Sequence, residues 1–380
     1  MQDISFEQGP IRPPSEATSL LLRVTRNCPW NRCDFCPVYK GSKFSRRTVD
    51  EVLADIGAMA RGLDHIRAQS VARGYGGEFP PGFLAELYHA PGATLPIQSL
   101  VMWLYRGGTS AFLQDADSMV VKPEDLARIL RALRKTFPFL ERVTCYARSQ
   151  TLARRSDEDL NTLRAAGLDR VHVGLESGSD HVLKSVRKGC TAERHIVGGR
   201  RVIEAGLELS EYVMPGLGGR ALSNEHAVET ARVLNEIDPH FIRLRSLAVP
   251  RGVPLAQMVR SGKFELLREI EIVQEIRTFV EHLDGIGSYL ASDHILNLLM
   301  EVEGKLPEDK PRILACLDHF LALPTDEQNT YIIGRRSGLF RCPDDVRDPQ
   351  RRKWAEERAR RLADEGRFEE TVRDLMRRFV

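Results

Sequence analysis

The most informative segment of this chain is Cys28-Pro29-Trp30-Asn31-Arg32-Cys33-Asp34-Phe35-Cys36. It carries three thiols, the first two separated by four residues and the last two by two. The apolar run at 19–24 that precedes it predicts a short buried strand. Prolines within and just after the segment indicate a loop and not a helix. A loop at the end of a strand can fold three thiolates around one inorganic centre.

Three cysteines at this spacing allow several interpretations. A disulfide leaves one thiol over, and seven cysteines, an odd number, suit a reducing compartment better than a disulfide scaffold. Structural zinc takes four ligands, and the next histidine, His65, does not complete a set at finger spacing. A four-iron cluster held by Cys28, Cys33 and Cys36 keeps one iron open to a substrate or cofactor. We favour the cluster, with a structural metal or unligated cysteines as the alternative.

Composition and charge narrow the class of protein. The chain has 380 residues and a net charge of +2, so overall charge argues for neither nucleic acid nor membrane as a partner. No apolar run reaches the roughly 18 residues that a transmembrane helix needs. The first residues lack the basic and apolar regions of a signal peptide. We therefore expect a cytoplasmic protein without a membrane partner.

Apolar strand patterns alternate with helical patterns from residue 19 to about 250, which predicts a parallel sheet covered by helices. We place the strands at 19–24, 110–113, 142–146, 170–176, 207–214 and 241–247. From 264 onward only helical patterns follow, including one that starts at Ser292. The predicted organisation is an extended leader (1–18), an α/β domain (19–263) with an insertion that could act as a lid (70–108), and a helical C-terminal region (264–380).

A more detailed pattern follows the fourth strand. The run Val173-Gly174-Leu175-Glu176-Ser177-Gly178-Ser179, with Lys188-Gly189 after it, resembles the radical S-adenosylmethionine (radical SAM) superfamily, in its coproporphyrinogen-dehydrogenase-like and Elongator-like branches. The cysteine segment is similar to that superfamily's cluster loop, including an aromatic residue, Phe35, before the last cysteine. Its first gap is one residue longer than the superfamily's usual spacing. Because the motifs fall at the carboxyl ends of predicted strands, the two resemblances support each other.

The resemblance implies a fold and a chemistry. The fold is an α/β partial (β/α)6 TIM-like barrel with the helical region at its C-terminal end. The cofactors are a [4Fe-4S] cluster, held by the three cysteines, and S-adenosyl-L-methionine. The enzyme would cleave S-adenosylmethionine reductively and use the resulting 5′-deoxyadenosyl radical to abstract hydrogen from an unidentified substrate.

Polar residues after the second and third strands are candidate cofactor ligands, because the carboxyl ends of parallel strands form the catalytic face of a barrel. By the resemblance, Asp115 or Asp117 would bind the amino group of S-adenosylmethionine in place of the usual glutamate. Arg148 could bind its carboxylate by a two-point contact. The alternatives are that Asp117 caps the structure that follows and that Arg148 is a surface arginine.

Residues at the ends of two later strands complete the set of candidate cofactor-binding residues. Glu176 is a candidate ligand for the ribose or methionine part, with an ion-paired core carboxylate as the alternative. The turn that contains Met214 and Gly216 resembles the superfamily's adenine-contacting segment, where glycine permits close approach. A tight turn without a ligand is the other interpretation.

Two other classes of function remain open. The chain could be a non-catalytic iron–sulfur or zinc protein, or an RNA-modifying radical SAM enzyme. Since the sequence has no concentrated basic and aromatic patch, it favours a small-molecule substrate over nucleic acid. We expect an electron donor such as flavodoxin or ferredoxin.

Overall fold

The strand that leads into the cysteine segment is buried on both faces, since Leu20, Leu21 and Leu22 are at most 8% exposed. A computed structural model describes residues 4–379, without the side chains of residues 343 and 344. The chain forms two units. The first comprises the chain up to Asn31, Val38–His172 and Arg201–Glu208, and the second comprises Arg32–Pro37, Val173–Arg200 and the chain from Leu209 onward.

The first unit contains the early strand–helix repeats. Its strands are β1 (Leu20–Arg23), β2 (Thr25–Arg26), β3 (Ser45–Arg46), β4 (Ser110–Gln114), β5 (Arg142–Ala147) and β6 (Arg170–Glu176), the last of which belongs to the second unit from Val173 onward. Its helices are α1 (Val49–Ala72), α2 (Pro81–Tyr88), α3 (Leu95–Tyr105), α4 (Pro123–Thr136), α5 (Ser149–Leu152) and α6 (Asp157–Ala165).

Parallel pairing positions the polar residues of this unit. The strand order is β1-β4-β5-β6, and Leu21 lies opposite Phe112, which in turn lies opposite Thr144. Parallel neighbours require crossover connections, and helices provide them between β1 and β4 and between β4 and β5. As a result Asp115, Asp117 and Arg148 all follow the carboxyl ends of adjacent strands.

The insertion at 70–108 folds as the end of α1 followed by α2 and α3. Trp103, on α3, is 1% exposed and donates its indole N–H to the Ser110 carbonyl at 2.9 Å. The insertion is therefore packed into the first unit next to the start of β4. Its role as a lid stays a prediction.

The second unit contains the remaining elements. Its strands after β6 are β7 (Glu208–Val213), β8 (Phe241–Leu244), β9 (Tyr289–Ala291) and β10 (Gly304–Lys305). Its helices are α7 (Asp180–Ser185), α8 (Ala192–Glu204, whose end belongs to the first unit), α9 (Gly219–Ile237), α10 (Pro254–Arg260), α11 (Glu269–His282), α12 (Lys310–Ala322), α13 (Thr325–Arg336), α14 (Pro349–Asp364) and α15 (Phe368–Met376).

Here the strand order is β6-β7-β8-β9-β10, with β7, β8 and β9 parallel and β10 antiparallel to β9. The α/β class with a parallel sheet is confirmed. The helix predicted to start at Ser292 is wrong, because β9 ends there and no helix follows before α12 among the described residues. The polar side chains of that segment make tertiary hydrogen bonds instead. The Asn297 amide donates to the Leu244 carbonyl at 2.8 Å, and the Ser292 hydroxyl donates to the Leu299 carbonyl at 2.7 Å.

Candidate functional site

The cysteine segment starts in the first unit, which holds Cys28, and continues in the second, which holds Cys33 and Cys36. All three thiols are half-buried, and within the described chain none of them forms a disulfide. The backbone N–H of Asn31 donates to the Cys28 sulfur at 3.4 Å. Reduced thiols with partial access to solvent are suitable ligands for an inorganic cluster.

The part of the segment in the second unit is held by its own backbone and by one aromatic ring. Phe35 is 8% exposed and packs in an apolar core, and Cys33 and Cys36 pack against the same core. The Asp34 N–H donates to the Val186 carbonyl at 2.9 Å, and the Cys33 thiol lies 4.0 Å from the Lys188 carbonyl. The aromatic residue before the last cysteine therefore anchors the segment.

Asp115 follows β4 directly and is completely buried. Its Oδ2 accepts hydrogen bonds from the Arg23 Nε at 2.9 Å and from the Asn27 backbone N–H at 3.0 Å. The carboxylate is thus already paired with a cation from β1. Its predicted role as a ligand of the cofactor's amino group stays a prediction.

Asp117 is equally buried but less completely bonded. Its Oδ2 accepts the Thr151 hydroxyl at 2.6 Å, whereas its Oδ1 has no hydrogen-bond partner among the described residues. Burial raises the pKa of Asp117 to about 6, against the opposing effects of the Thr151 hydrogen bond and of the Arg148 and Arg155 charges. The Oδ1 atom therefore keeps unused capacity to accept a hydrogen bond.

Arg148 is not a simple surface residue. It follows β5, is half-buried, and places its guanidinium carbon 5.2 Å from the centre of the Trp30 ring. Trp30 belongs to the cysteine segment, so this cation–π contact links the end of β5 to the loop that carries Cys28. The contact spans residues 118 positions apart in sequence, which sequence patterns alone do not reveal.

Glu176 ends β6 with φ of +66°, a left-handed conformation that is uncommon for a residue other than glycine. Its Oε1 accepts the Lys188 ammonium at 3.0 Å, and its carbonyl accepts the Met214 N–H at 3.0 Å. A Cβ at Gly174 would lie 2.4 Å from that Oε1. Glycine at 174 thus leaves the space that the ion pair occupies.

A further carboxylate in the second unit is absent from the sequence-based predictions. Glu211, on β7, is 0% exposed, and neither of its side-chain oxygens has a hydrogen-bond partner in the described chain. Burial raises its pKa well above the usual range; the Lys188 charge opposes this shift and the Glu176 charge adds to it. The available signal was an acidic residue inside an apolar strand, which is rare unless the residue is paired or functional.

The turn after β7 uses the backbone groups that were predicted to approach adenine. The His226 ring contacts the Met214 carbonyl through Nε2 at 3.1 Å, and the Glu275 Oε1 accepts the Gly216 N–H at 2.6 Å. Gly216 has φ of +89°, so a glycine is favoured there. Sequence patterns did not single out His226 and Glu275, which lie on α9 and α11.

One match to a known family identifies the family of this chain. A model of the radical SAM superfamily matches residues 22–233, more than half of the chain. The chain belongs to the radical SAM superfamily. The predicted family, the enzyme class and the partial-barrel fold are confirmed.

The names of the curated relatives of this radical SAM chain refer to different classes of molecule. It is 25% identical over 122 residues to a tRNA uridine(34) acetyltransferase of Methanocaldococcus infernus, covering 32% of this chain and 23% of the relative. It is 23% identical over 230 residues to a 4'-phospho-dehydrooxetanocin synthase of Priestia megaterium, covering 58% and 27%. The chain therefore spans about a quarter of the length of the curated relatives it matches.

Among solved structures, the coproporphyrinogen III oxidase HemN of Escherichia coli is similar at 16% identity, with a TM-score of 0.46 over 70% of this chain and 52% of that one. Within the described residues, no helix combines the length and apolar character needed to span a bilayer.

The superfamily uses a [4Fe-4S] cluster and S-adenosylmethionine, so the predicted cofactors are confirmed. The donor set of this chain fits a cluster, because three half-buried thiols outside any disulfide lie on one segment of the described chain. No three Cys, His, Asp or Glu side chains of the described residues are arranged to hold a single metal ion. A cluster does not require such a group, because its thiolate ligands bind separate irons and need not converge on one point.

Proposed function

We propose that Cys28, Cys33 and Cys36 hold the [4Fe-4S] cluster and that the enzyme uses it for hydrogen abstraction from a substrate. The observation that carries the proposal is that these three thiols lie on one short segment inside the family-matched residues, outside any disulfide of the described chain. When bound, the cluster supplies the electron that splits S-adenosylmethionine into methionine and a 5′-deoxyadenosyl radical. The protein orients the cofactor and excludes water and oxygen.

For the cofactor itself we propose Asp117, Arg148 and Glu176 as contacts of its polar groups. Asp117 suits the amino group better than Asp115 because Arg23 already pairs with Asp115, whereas Asp117 accepts the neutral Thr151 hydroxyl and has one oxygen without a hydrogen-bond partner among the described residues. Arg148 can pair with the carboxylate by a two-point contact. Glu176 is held by Lys188 at 3.0 Å and would present its second oxygen.

The adenine-contacting role of Met214 and Gly216 is also part of the proposal. Gly216 adopts the positive φ that such a turn requires, and Met214 lies in the apolar core that contains Phe35. We add Glu211 as a candidate ligand, since both oxygens of its buried carboxyl group lack partners in the described chain.

Anaerobic reconstitution tests the proposal. We expect wild-type protein to take up four iron and four sulfide per chain and, with dithionite and S-adenosylmethionine, to release 5′-deoxyadenosine. Cys28→Ala, Cys33→Ala and Cys36→Ala should each lose both properties. Cys316→Ala, on α12, is the matched control and should keep them. Full iron content and cofactor cleavage in Cys28→Ala, or one zinc per chain without cleavage, would refute the proposal.

We propose a small molecule as substrate, supported by the low net charge of +2 and by the longer of the two relative matches. Modification of tRNA is the second candidate, favoured by the match to the tRNA uridine(34) acetyltransferase. Gel-shift titration with total tRNA separates them, because RNA binding would weaken steeply with salt.

We further propose a cytoplasmic location and a flavodoxin or ferredoxin as electron donor.

A further inference from the structure

Asp115 is linked to the residue that immediately precedes the first cluster cysteine. Its Oδ2 accepts hydrogen bonds from the Asn27 N–H at 3.0 Å and from the Nε and Nη2 of Arg23 at 2.9 and 2.5 Å. The Arg23 side chain is 13% exposed and that of Asp115 is 0% exposed. Because the pair is almost dry, its hydrogen bonds are stronger than they would be in water.

The backbone that Asp115 holds is in an unusual conformation. Asn27 has φ of +68°, in the left-handed region, which persists only when surrounding contacts determine it. Besides the bond to Asp115, the Asn27 amide side chain donates to the Lys43 carbonyl at 2.6 Å. These two contacts fix the direction in which the chain enters Cys28.

The other oxygen of Asp115, Oδ1, has no hydrogen-bond partner among the described residues and lies against the leader. A Cβ at Gly9 would lie only 1.9 Å from Oδ1. Gly9 is held there by Gln114, whose Oε1 accepts the Gly9 N–H at 2.8 Å and whose Nε2 donates to the Gly9 carbonyl at 3.1 Å. The carboxylate is thus surrounded by Arg23, Asn27 and Gly9, and its charge is already compensated by the Arg23 guanidinium, so it has less need of the ammonium group of a cofactor.

We infer that Asp115 is a positioning residue for the cluster: through Asn27 it sets the orientation of Cys28, instead of binding the amino group of S-adenosylmethionine. The inference rests on the proposed role of Cys28 as a cluster ligand. It assigns this aspartate to the loop and leaves Asp117, two residues later, for the cofactor.

The test compares cluster retention in Asp115→Asn, Asp115→Ala and Gly9→Ala with wild type. Asp169→Ala is the matched control, because Asp169 is a half-buried carboxylate of the same unit that pairs with Arg134 and accepts the Val143 N–H at 2.6 Å, with neither partner in the cysteine segment. After anaerobic reconstitution, an iron chelator extracts the cluster while its absorbance is followed. The electron paramagnetic resonance spectrum of the reduced cluster, cofactor binding and the melting of each apo-protein are recorded separately.

We expect faster extraction, by roughly 10-fold to 100-fold, in Asp115→Ala and Gly9→Ala, as for other residues that orient metal ligands. Asp115→Asn should be intermediate, because an amide oxygen can still accept the Asn27 N–H, and it carries the test if Asp115→Ala does not fold. Asp169→Ala should melt lower than wild type yet keep wild-type extraction. The inference would be overturned, and the proposed function would stand, if both Asp115 variants released iron at the wild-type rate. The same would follow if they kept an unchanged cluster but lost cofactor binding. A wild-type chain that takes up no cluster would overturn the proposed function as well.

Discussion

Two regions of the molecule, one in each unit, contain two carboxylates at or near strand ends with side chains at most 13% exposed, and both regions show the same division. In the first unit Asp115 is paired with the Arg23 cation, whereas Asp117 accepts the neutral Thr151 hydroxyl, and the Oδ1 of each has no hydrogen-bond partner among the described residues. In the second unit Glu176 is paired with Lys188, whereas Glu211 has no hydrogen-bond partner in the described chain. A paired buried carboxylate maintains structure, while an unsatisfied one costs stability and is a candidate for binding a ligand or taking part in a reaction.

The largest effect should come from removing the cation of the second unit. Lys188→Met leaves the Glu176 side chain, 13% exposed, without the ammonium 3.0 Å away. Loss of one partner of a buried pair typically costs about 3–5 kcal/mol, and urea unfolding at pH 7 measures it. Lys184→Met, an exposed lysine on α7, is the control and should stay within about 0.5 kcal/mol of wild type. An equally small change in Lys188→Met would show that Glu176 does not depend on its cation.

The next effect concerns Asp117 and depends on pH. Its pKa is raised from 3.8 to about 6, so the native state holds this proton more tightly than the unfolded state does. The associated stability is complete below pH 3.8 and is lost as the pH rises through 6, a loss of about 3 kcal/mol for 2.2 pH units (6 − 3.8).

Asp117→Asn removes this dependence. The variant should therefore gain up to about 3 kcal/mol over wild type at pH 7 relative to their difference at pH 3.5, while losing cofactor cleavage. Unfolding of both proteins across that pH range measures the change, with the exposed Glu158→Gln as control. If the free energies of unfolding of Asp117→Asn and wild type differed by the same amount from pH 3.5 to 7, the raised pKa of the buried Asp117 carboxyl would be contradicted.

A smaller effect should follow when the hydroxyl that bonds Asp117 is removed. Thr151 donates at 2.6 Å, and this bond opposes the effect of burial on the pKa. Thr151→Val should raise that pKa further, so the loss of stability still begins near pH 3.8 but continues to a higher pH. At pH 7 the cost is about 1.5–3 kcal/mol, typical of a hydrogen bond to a charged group. In the background of Asp117→Asn the same substitution should cost less, and equal costs in the two backgrounds would mean that Thr151 stabilises the chain independently of Asp117.

The sequence predicts the strand ends well but not the partners found there. The apolar runs and the glycines and prolines between them suffice to locate β4, β5 and β6 within a residue. The pairing of Asp115 with Arg23 joins positions that lie 92 residues apart in the sequence. The lack of hydrogen-bond partners at Glu211 in the described chain depends on what packs around β7. Neither feature is encoded in a local sequence pattern. The strands β9 and β10 were missed because they are three and two residues long, too short for a period to be recognised.

The smallest effect tests whether space, as well as charge, maintains the paired carboxylate of the second unit. A Cβ at position 174 would lie 2.4 Å from the Glu176 Oε1 and 3.0 Å from the Lys188 Nζ, so Gly174→Ala must push the pair apart. Overpacking of this kind costs about 1–3 kcal/mol. Gly252→Ala, in the same unit, has nothing within 4 Å of the added atom and should change the free energy of unfolding by less than about 0.5 kcal/mol. If Gly174→Ala were as mild as its control, the ion pair would move without loss, and the division between paired and unsatisfied carboxylates would not hold in this unit.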